Sequence, residues 1–237
     1  EENLVFLRPR LRLNFTDFAP FERSKGCSVR YVSRVCEFGA PDLVVLPGTK
    51  STIEDLRFLK SSGLAEQVVA AAHRGVPVFG VCGGFQMLGK KVADPFGCEC
   101  GGEEEGLGLL PLETVFGREK CLRETKGVIG GLSGVFSCLN GQNYTGYEIH
   151  MGRSEAPLPP ITAGNNVYGT YIHGVFDEAG IAQAIVADLC RRKGLDPSEA
   201  QTFDPEAYKQ RQYDKLAKGV REGLDMEFVY RVLERKV

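Results

Sequence analysis

The chain of 237 residues carries 29 Lys+Arg against 31 Asp+Glu, a formal net charge of −2 at pH 7, with 43% hydrophobic and 25% charged residues. That is the composition of a globular protein long enough to bury a sizeable core, and it offers nucleic acid no basic surface. No apolar run reaches the ~18 residues a membrane span requires, and the opening EENLVFLRPR is too short and too charged for a signal peptide.

In chain order, residues 4–7 are a short apolar strand and residues 28–32 alternate as a second. Residues 41–48, PDLVVLPG, form a continuous apolar run closed by Pro-Gly, which suits a strand covered on both faces. A helix is predicted from Ser51 or Thr52, where Thr52 and Asp55 have capping-box spacing. It is interrupted at Gly63, resumes over 64–73 and stops at Gly75. Residues 76–81 are the next strand and run straight into Cys82. Strand, helix, strand in this order is a βαβ unit. From 94 to 143 glycine is frequent, with β-like pieces at 108–116, 127–129 and 147–150, expected as antiparallel additions to the sheet. Residues 157–160 form a Pro-rich loop, 166–173 a late strand ending in a histidine, 178–193 an amphipathic helix, and 208–237 one or two more. The predicted fold is therefore α/β, a mostly parallel central sheet flanked by helices. No repeat or long linker asks for a second domain.

The segment Gly80-Val81-Cys82-Gly83-Gly84 fits a nucleophile elbow with cysteine in place of serine. Its glycines permit a sharp strand-to-helix turn that holds the central residue strained and exposed, and the N–H of Gly83 would point at an oxyanion. An isolated G-x-C-x-G serves a buried core thiol about as well. A nucleophilic thiol needs a base, and there are three histidines. His73 closes a helix. His150 and His173 both end strands, where ligands of parallel sheets bind, and spacing does not choose between them. The run Pro47-Gly48-Thr49-Lys50-Ser51-Thr52 lacks the adjacent Gly-Lys of a phosphate loop; as a tight turn it would give a second backbone N–H to the oxyanion. The eight cysteines include no CxxC pair, and in a chain of this length they suggest a reducing, cytoplasmic setting. Cys98-Glu99-Cys100 is read as a loop feature, and no metal site is expected.

Taken together, these residues resemble a class I glutamine amidotransferase. Residues 80–86 are similar to its G-x-C-x-G-x-Q signature. Asn14-Phe15-Thr16-Asp17-Phe18, residues 46–52, 146–152 and 169–174, and the tail Gln212-Tyr213-Asp214-Lys215-Leu216 resemble the glutaminase domain of cobyric acid synthases. The resemblance implies one glutaminase domain over 1–237, with Cys82 as nucleophile and His173 as its acid–base partner. It implies Gly48 and Gly83 as oxyanion donors, Gln86 near the bound glutamine, and Glu148 and His150 close to the site. The domain itself would need no cofactor. ATP and Mg would sit on a separate N-terminal synthetase domain, absent from this chain, which carries a corrinoid acceptor of the cobyrinic acid a,c-diamide type. Two alternatives are an amidotransferase subunit serving another acceptor, such as a cell-wall precursor, and a non-catalytic module of the same fold. One position departs from the pattern: Val175 stands where many class I members place the glutamate that orients the histidine. The expected substitutes are Glu148, Asp177 or a group outside this chain.

Overall fold

The computed structural model describes residues 2–7, 15–24, 27–154, 158–199, 203 and 205–234. Asn14, Pro157 and the last three positions of the helix expected over 208–237 lie outside them. The elements are β1 (Glu2–Leu7), α1 (Ala19–Glu22), β2 (Cys27–Val32), β3 (Leu43–Leu46), α2 (Thr52–Ser61), α3 (Leu64–His73), β4 (Val78–Val81) and α4 (Gly83–Leu88). These are followed by β5 (Lys91–Asp94), β6 (Gly102–Glu105), β7 (Glu113–Val128), β8 (Asn143–Ser154), β9 (Thr162–Gly164), β10 (Val167–Thr170), β11 (Ile172–His173) and α5 (Ala179–Arg192). Two further helices, α6 (Pro205–Gly223) and α7 (Met226–Leu233), close the chain. The chain divides into two compact units, Glu1–Phe203 and Asp204–Val237.

In the first unit the main sheet runs β2-β1-β3-β4-β10-β9, parallel except for β9 at its edge. Both faces of its centre are apolar because alternate side chains point opposite ways. Leu43 and Val45 of β3, with Phe79 and Val81 of β4, pack with Phe21 of α1 and with Ile181, Ile185 and Leu189 of α5. Val44, Leu46 and Val78 face the other way, toward Leu56 and Leu59 of α2 and Leu64 and Val68 of α3. Each such side chain contributes about 1.5–3 kcal/mol by leaving water. The continuous apolar runs noted in the sequence are thus strands covered by helices on both sides.

The glycine-rich middle forms a sheet of its own, ordered β11-β8-β7-β5-β6 and antiparallel except for the β5–β7 pair. The short pieces expected at 108–116 and 127–129 are ends of a longer element: β7 starts at Glu113 and runs sixteen residues, with a register shift between Phe116 and Cys121. The predicted capping box also resolves differently. Ser51 precedes the first turn of α2 as its cap residue, and its hydroxyl donates to Glu54 at 2.9 Å. Asp55 accepts instead from the Thr49 hydroxyl. In the second unit, Asp225 caps α7 by accepting the Phe228 N–H at 3.0 Å. No helix among the described residues is long and apolar enough to cross a membrane.

Candidate active site

Four segments meet beyond the carboxyl ends of parallel strands, the usual ligand-binding edge of such a sheet. Cys82 follows β4, Gly48 follows β3, His173 lies just past β10, and Asp17 lies in the turn Phe15–Phe18, next in the chain of described residues after β1. Cys82 has φ 49° and ψ −109°, the geometry of the first central residue of a type II′ turn, where glycine is normally found. Such strain in a side chain-bearing residue marks a site where the fold overdetermines the backbone. The Cys82 N–H donates to Thr170 O at 2.8 Å, and its carbonyl accepts the first helical bond of α4 from Gln86 N–H at 3.0 Å. Flanking glycines make the turn sterically feasible. A Cβ on Gly80 would lie 2.6 Å from the Cα of Phe85, and one on Gly84 would overlap the Leu46 carbonyl.

His173 is buried and tightly held. Its Nδ1–H donates to Asp17 Oδ2 at 2.7 Å, while Asp17 Oδ1 accepts the Gly174 N–H at 3.1 Å. Nε2 is thereby left for the thiol side of the site. Burial pulls the imidazolium down, but hydrogen bonds to Asp17 and Cys82 more than reverse this, and the pKa is pushed up to about 10. The ring stacks on Tyr147, centroids 5.3 Å apart. The orienting group for Nδ1 is therefore Asp17, not the expected Glu148 or Asp177. Glu148 is committed elsewhere: it accepts from Arg123 at 2.9 Å and meets His150 Nε2 at 3.3 Å. Asp177 sits a turn beyond the histidine, its N–H donating to Gly174 O at 2.9 Å.

Gly48 belongs in the same place. A Cβ there would stand 3.1 Å from His173 Cε1 and 3.6 Å from Cys82 Cβ, and one on Gly83 would meet the Thr49 methyl at 2.6 Å. These turns border a cavity of about 720 Å³ lined among others by Cys82, Gln86, Glu99, His150 and His173. Gln86 is buried, with its oxygen accepting from Thr52 Oγ1 at 3.2 Å and its amide donating to Tyr171 Oη at 3.4 Å. His150 borders the cavity but is not paired with the thiol: its Nδ1–H donates to Gly152 O at 2.7 Å.

The loop Cys98-Glu99-Cys100 also reaches the cavity. Glu99 Oε2 accepts the Thr52 N–H at 2.6 Å, over the start of α2. Burial raises its pKa, the Thr52 hydrogen bonds oppose this, and Asp94 and Asp55 add to the rise, to about 7. The loop is fixed by the buried Asp94, which accepts N–H groups from Cys98, Glu99 and Gly101 at 2.8–2.9 Å. Sequence reasoning gave neither Glu99 nor Asp17 a role. Asp17 stands inside the motif of residues 14–18, and the available signal was the need for a carboxylate behind His173.

Residues 3–181 match the family model described as the CobB/CobQ-like glutamine amidotransferase domain. The chain belongs to this family. It is 45% identical to the cobyric acid synthase of Lachnoclostridium phytofermentans over 98% of this chain and 50% of that protein. It is 42% identical to the cobyric acid synthase of Ruminiclostridium cellulolyticum over 98% and 49%. It therefore spans about half the length of these curated relatives. Among solved structures, one titled "Crystal structure of glutamine amidotransferase" aligns with a TM-score of 0.54 at 16% identity, covering 81% of this chain and 99% of that one. The structure of PurLQS from Thermotoga maritima aligns with a TM-score of 0.54 at 13% identity, with the same coverage. At those identities the likeness speaks for the fold, an α/β glutamine amidotransferase domain with a mostly parallel sheet.

Proposed function

We propose that this chain is the glutaminase domain of a cobyric acid synthase, hydrolysing glutamine through a cysteine thioester to supply ammonia for amidation of corrin carboxylates. The observation that carries the reading is the strained Cys82 beside the Asp17–His173 pair at the rim of one cavity. Cys82 is the nucleophile. Its Sγ attacks the side-chain carbon of glutamine, and the tetrahedral oxyanion is received by the backbone N–H groups of Gly48 and Gly83. The protonated His173 gives its Nε2 proton to the departing nitrogen as the C–N bond breaks, leaving ammonia and a glutamyl thioester. Neutral His173 then takes a proton from water, the hydroxide displaces Sγ, and glutamate leaves. Asp17 keeps the Nδ1–H tautomer through both steps. Gln86 shapes the wall of the substrate pocket, and the Glu99 carboxylate is the anion available for the α-ammonium of glutamine.

The acceptor comes from the relatives, which are named cobyric acid synthases and extend about as far again beyond the aligned part. Their name supports a corrin acceptor over a cell-wall precursor; the cobyrinic acid a,c-diamide type is our proposal for it, and the assembled site speaks against a non-catalytic module. In this reading ATP and Mg act on a synthetase part outside this chain, and the reaction is cytoplasmic. Cys82→Ala should abolish glutamate release, with and without an added synthetase domain. Persistent hydrolysis by the purified variant, or a failure of wild type to form a glutamyl adduct on Cys82 by mass spectrometry, would overturn the assignment.

A further inference from the structure

The β7–β8 ladder holds a second set of ligand-type side chains. Cys121 pairs across the ladder with His150, and Glu148, two residues earlier on β8, shares the face of His150 by the two-residue period of a strand. Cys121 Sγ, Glu148 Oε2 and His150 Nε2 converge: Sγ to Oε2 is 3.9 Å, Nε2 to Oε2 is 3.3 Å, and the ligand atoms all lie within 4.8 Å of one another. Around a tetrahedral ion with bonds of about 2.0–2.3 Å, donor atoms stand roughly 3.3–3.6 Å apart. Small side-chain shifts therefore bring the three onto one ion.

Hydrogen bonding points the same way. The Gly152 carbonyl, 2.7 Å from His150 Nδ1, can only accept, so Nδ1 carries a hydrogen. Nε2 faces Glu148 Oε2, a carboxylate oxygen that can only accept, and without a proton on Nε2 the two present lone pairs to each other. A positive charge between them satisfies both, and a metal ion is the occupant that also uses the thiol. The outer contacts fit a ligand set. Arg123 Nη2 holds Glu148 Oε1 at 2.9 Å, which leaves Oε2 for the centre, and the His150 ring is clamped by stacking on Tyr171, centroids 3.9 Å apart.

We propose that Cys121, Glu148 and His150 form a binding site for a zinc-class divalent ion at the edge of the glutaminase cavity, with Cys121 bound as thiolate and its proton released to solvent. One thiolate, one imidazole and one carboxylate favour a borderline ion such as Zn²⁺ over Mg²⁺ or Ca²⁺, and the two anions balance its charge. The site adjoins the nucleophile, because the carbonyl of Ile149, between two of the ligands, accepts from Cys82 Sγ at 3.8 Å. It departs from the sequence expectation of no metal. Cys121 lies 27 residues before Glu148, a separation at which no ligand motif is visible.

The test uses the full chain carrying Cys82→Ser, so that the nucleophile supplies no thiolate, stripped with a chelator and titrated with Co²⁺ as a zinc probe. One equivalent should bind with thiolate-to-cobalt charge-transfer absorption, and Zn²⁺ should displace it. Adding Cys121→Ser should remove the absorption and weaken binding by about 100-fold or more, and His150→Ala should weaken it comparably, with circular dichroism confirming the fold. X-ray absorption at the zinc edge should show one sulfur among lighter ligands. No charge-transfer band at saturating Co²⁺, a band that survives Cys121→Ser, undiminished affinity in His150→Ala, or a zinc shell without sulfur would each overturn the site.

Discussion

Asp17→Asn tests the catalytic reading where the geometry is most demanding. Asp17 accepts from two donors, the Nδ1–H of His173 at 2.7 Å and the N–H of Gly174 at 3.1 Å. Asparagine keeps the volume but trades one acceptor oxygen for an NH₂ group, so one of those donors must lose its acceptor. With the amide oxygen on Gly174, the NH₂ faces Nδ1 and drives the ring hydrogen to Nε2, which then cannot take a proton from thiol or water. Turned the other way, two N–H groups oppose each other where Asp17 is only 3% exposed. Such an unmatched buried donor costs about 1–3 kcal/mol. The charge balance changes as well. Burial lowers the His173 pKa, and Asp17 is the foremost of the partners that lift it to about 10, so the variant ring moves down toward its ordinary value. Because acid–base catalysis by a positioned group contributes about 10²–10⁴-fold, kcat should fall by that order. KM should change little, since Asp17 does not line the cavity. Ammonia release in a coupled assay gives kcat, and the rate of Cys82 alkylation by an electrophilic glutamine analogue reports the thiol independently. Stability gives a second readout. A histidine whose folded pKa is raised stabilises the fold fully below its unfolded value near 6.5 and loses that contribution as pH rises through about 10. Wild type should weaken across this window and the variant less so. Activity within about threefold of wild type, or an equal loss in Asp177→Asn or Glu148→Gln, would refute the reasoning.

Glu99→Gln should raise KM for glutamine by about 10–100-fold, the worth of one charge-assisted hydrogen bond of about 1.5–3 kcal/mol, with a smaller effect on kcat. In wild type, KM should climb as pH falls through about 7, where the Glu99 carboxyl gains its proton; steady-state kinetics on the variant should show a flat profile. Cys82→Gly should be inactive yet more stable by about 1 kcal/mol in denaturant melts, because glycine accepts φ 49° and ψ −109° without strain while adding some unfolded-state entropy. Cys82→Ala, which keeps the Cβ, should show no such gain.

The apolar runs at 41–48 and 76–81 were legible because a strand covered on both faces has no polar alternation to obscure it, and Cys82 was legible because the elbow is a contiguous motif. The second sheet was harder to read. Its strands are half exposed, with Thr114 and Phe116 buried but Val115 and Leu122 in solvent, so short β-like pieces did not reveal that one strand runs from Glu113 to Val128. Glu99 was missed because a lone acid between two cysteines looks like a loop until the fold sets it over the start of α2.

Asp17 shows the limit most clearly. It lies 156 residues from His173, and no periodicity joins them. The rule that gathers ligands at the carboxyl ends of parallel strands applies to the segment after β1 as much as to those after β3, β4 and β10. Using it required knowing that β1 sits beside β3 in the sheet, so that the turn after β1 reaches the histidine brought in by β10. Alternation of apolar residues identifies strands but does not order them. A parallel sheet acquires its order from crossovers whose geometry is decided by packing, here Phe18 and Phe21 against Phe176, with ring centroids 6.1 and 5.1 Å apart. The aromatic contacts that carry Asp17 to His173 are therefore core packing and site assembly at once, which explains why a position two residues past His173 can hold Val175 while a carboxylate still stands behind the ring.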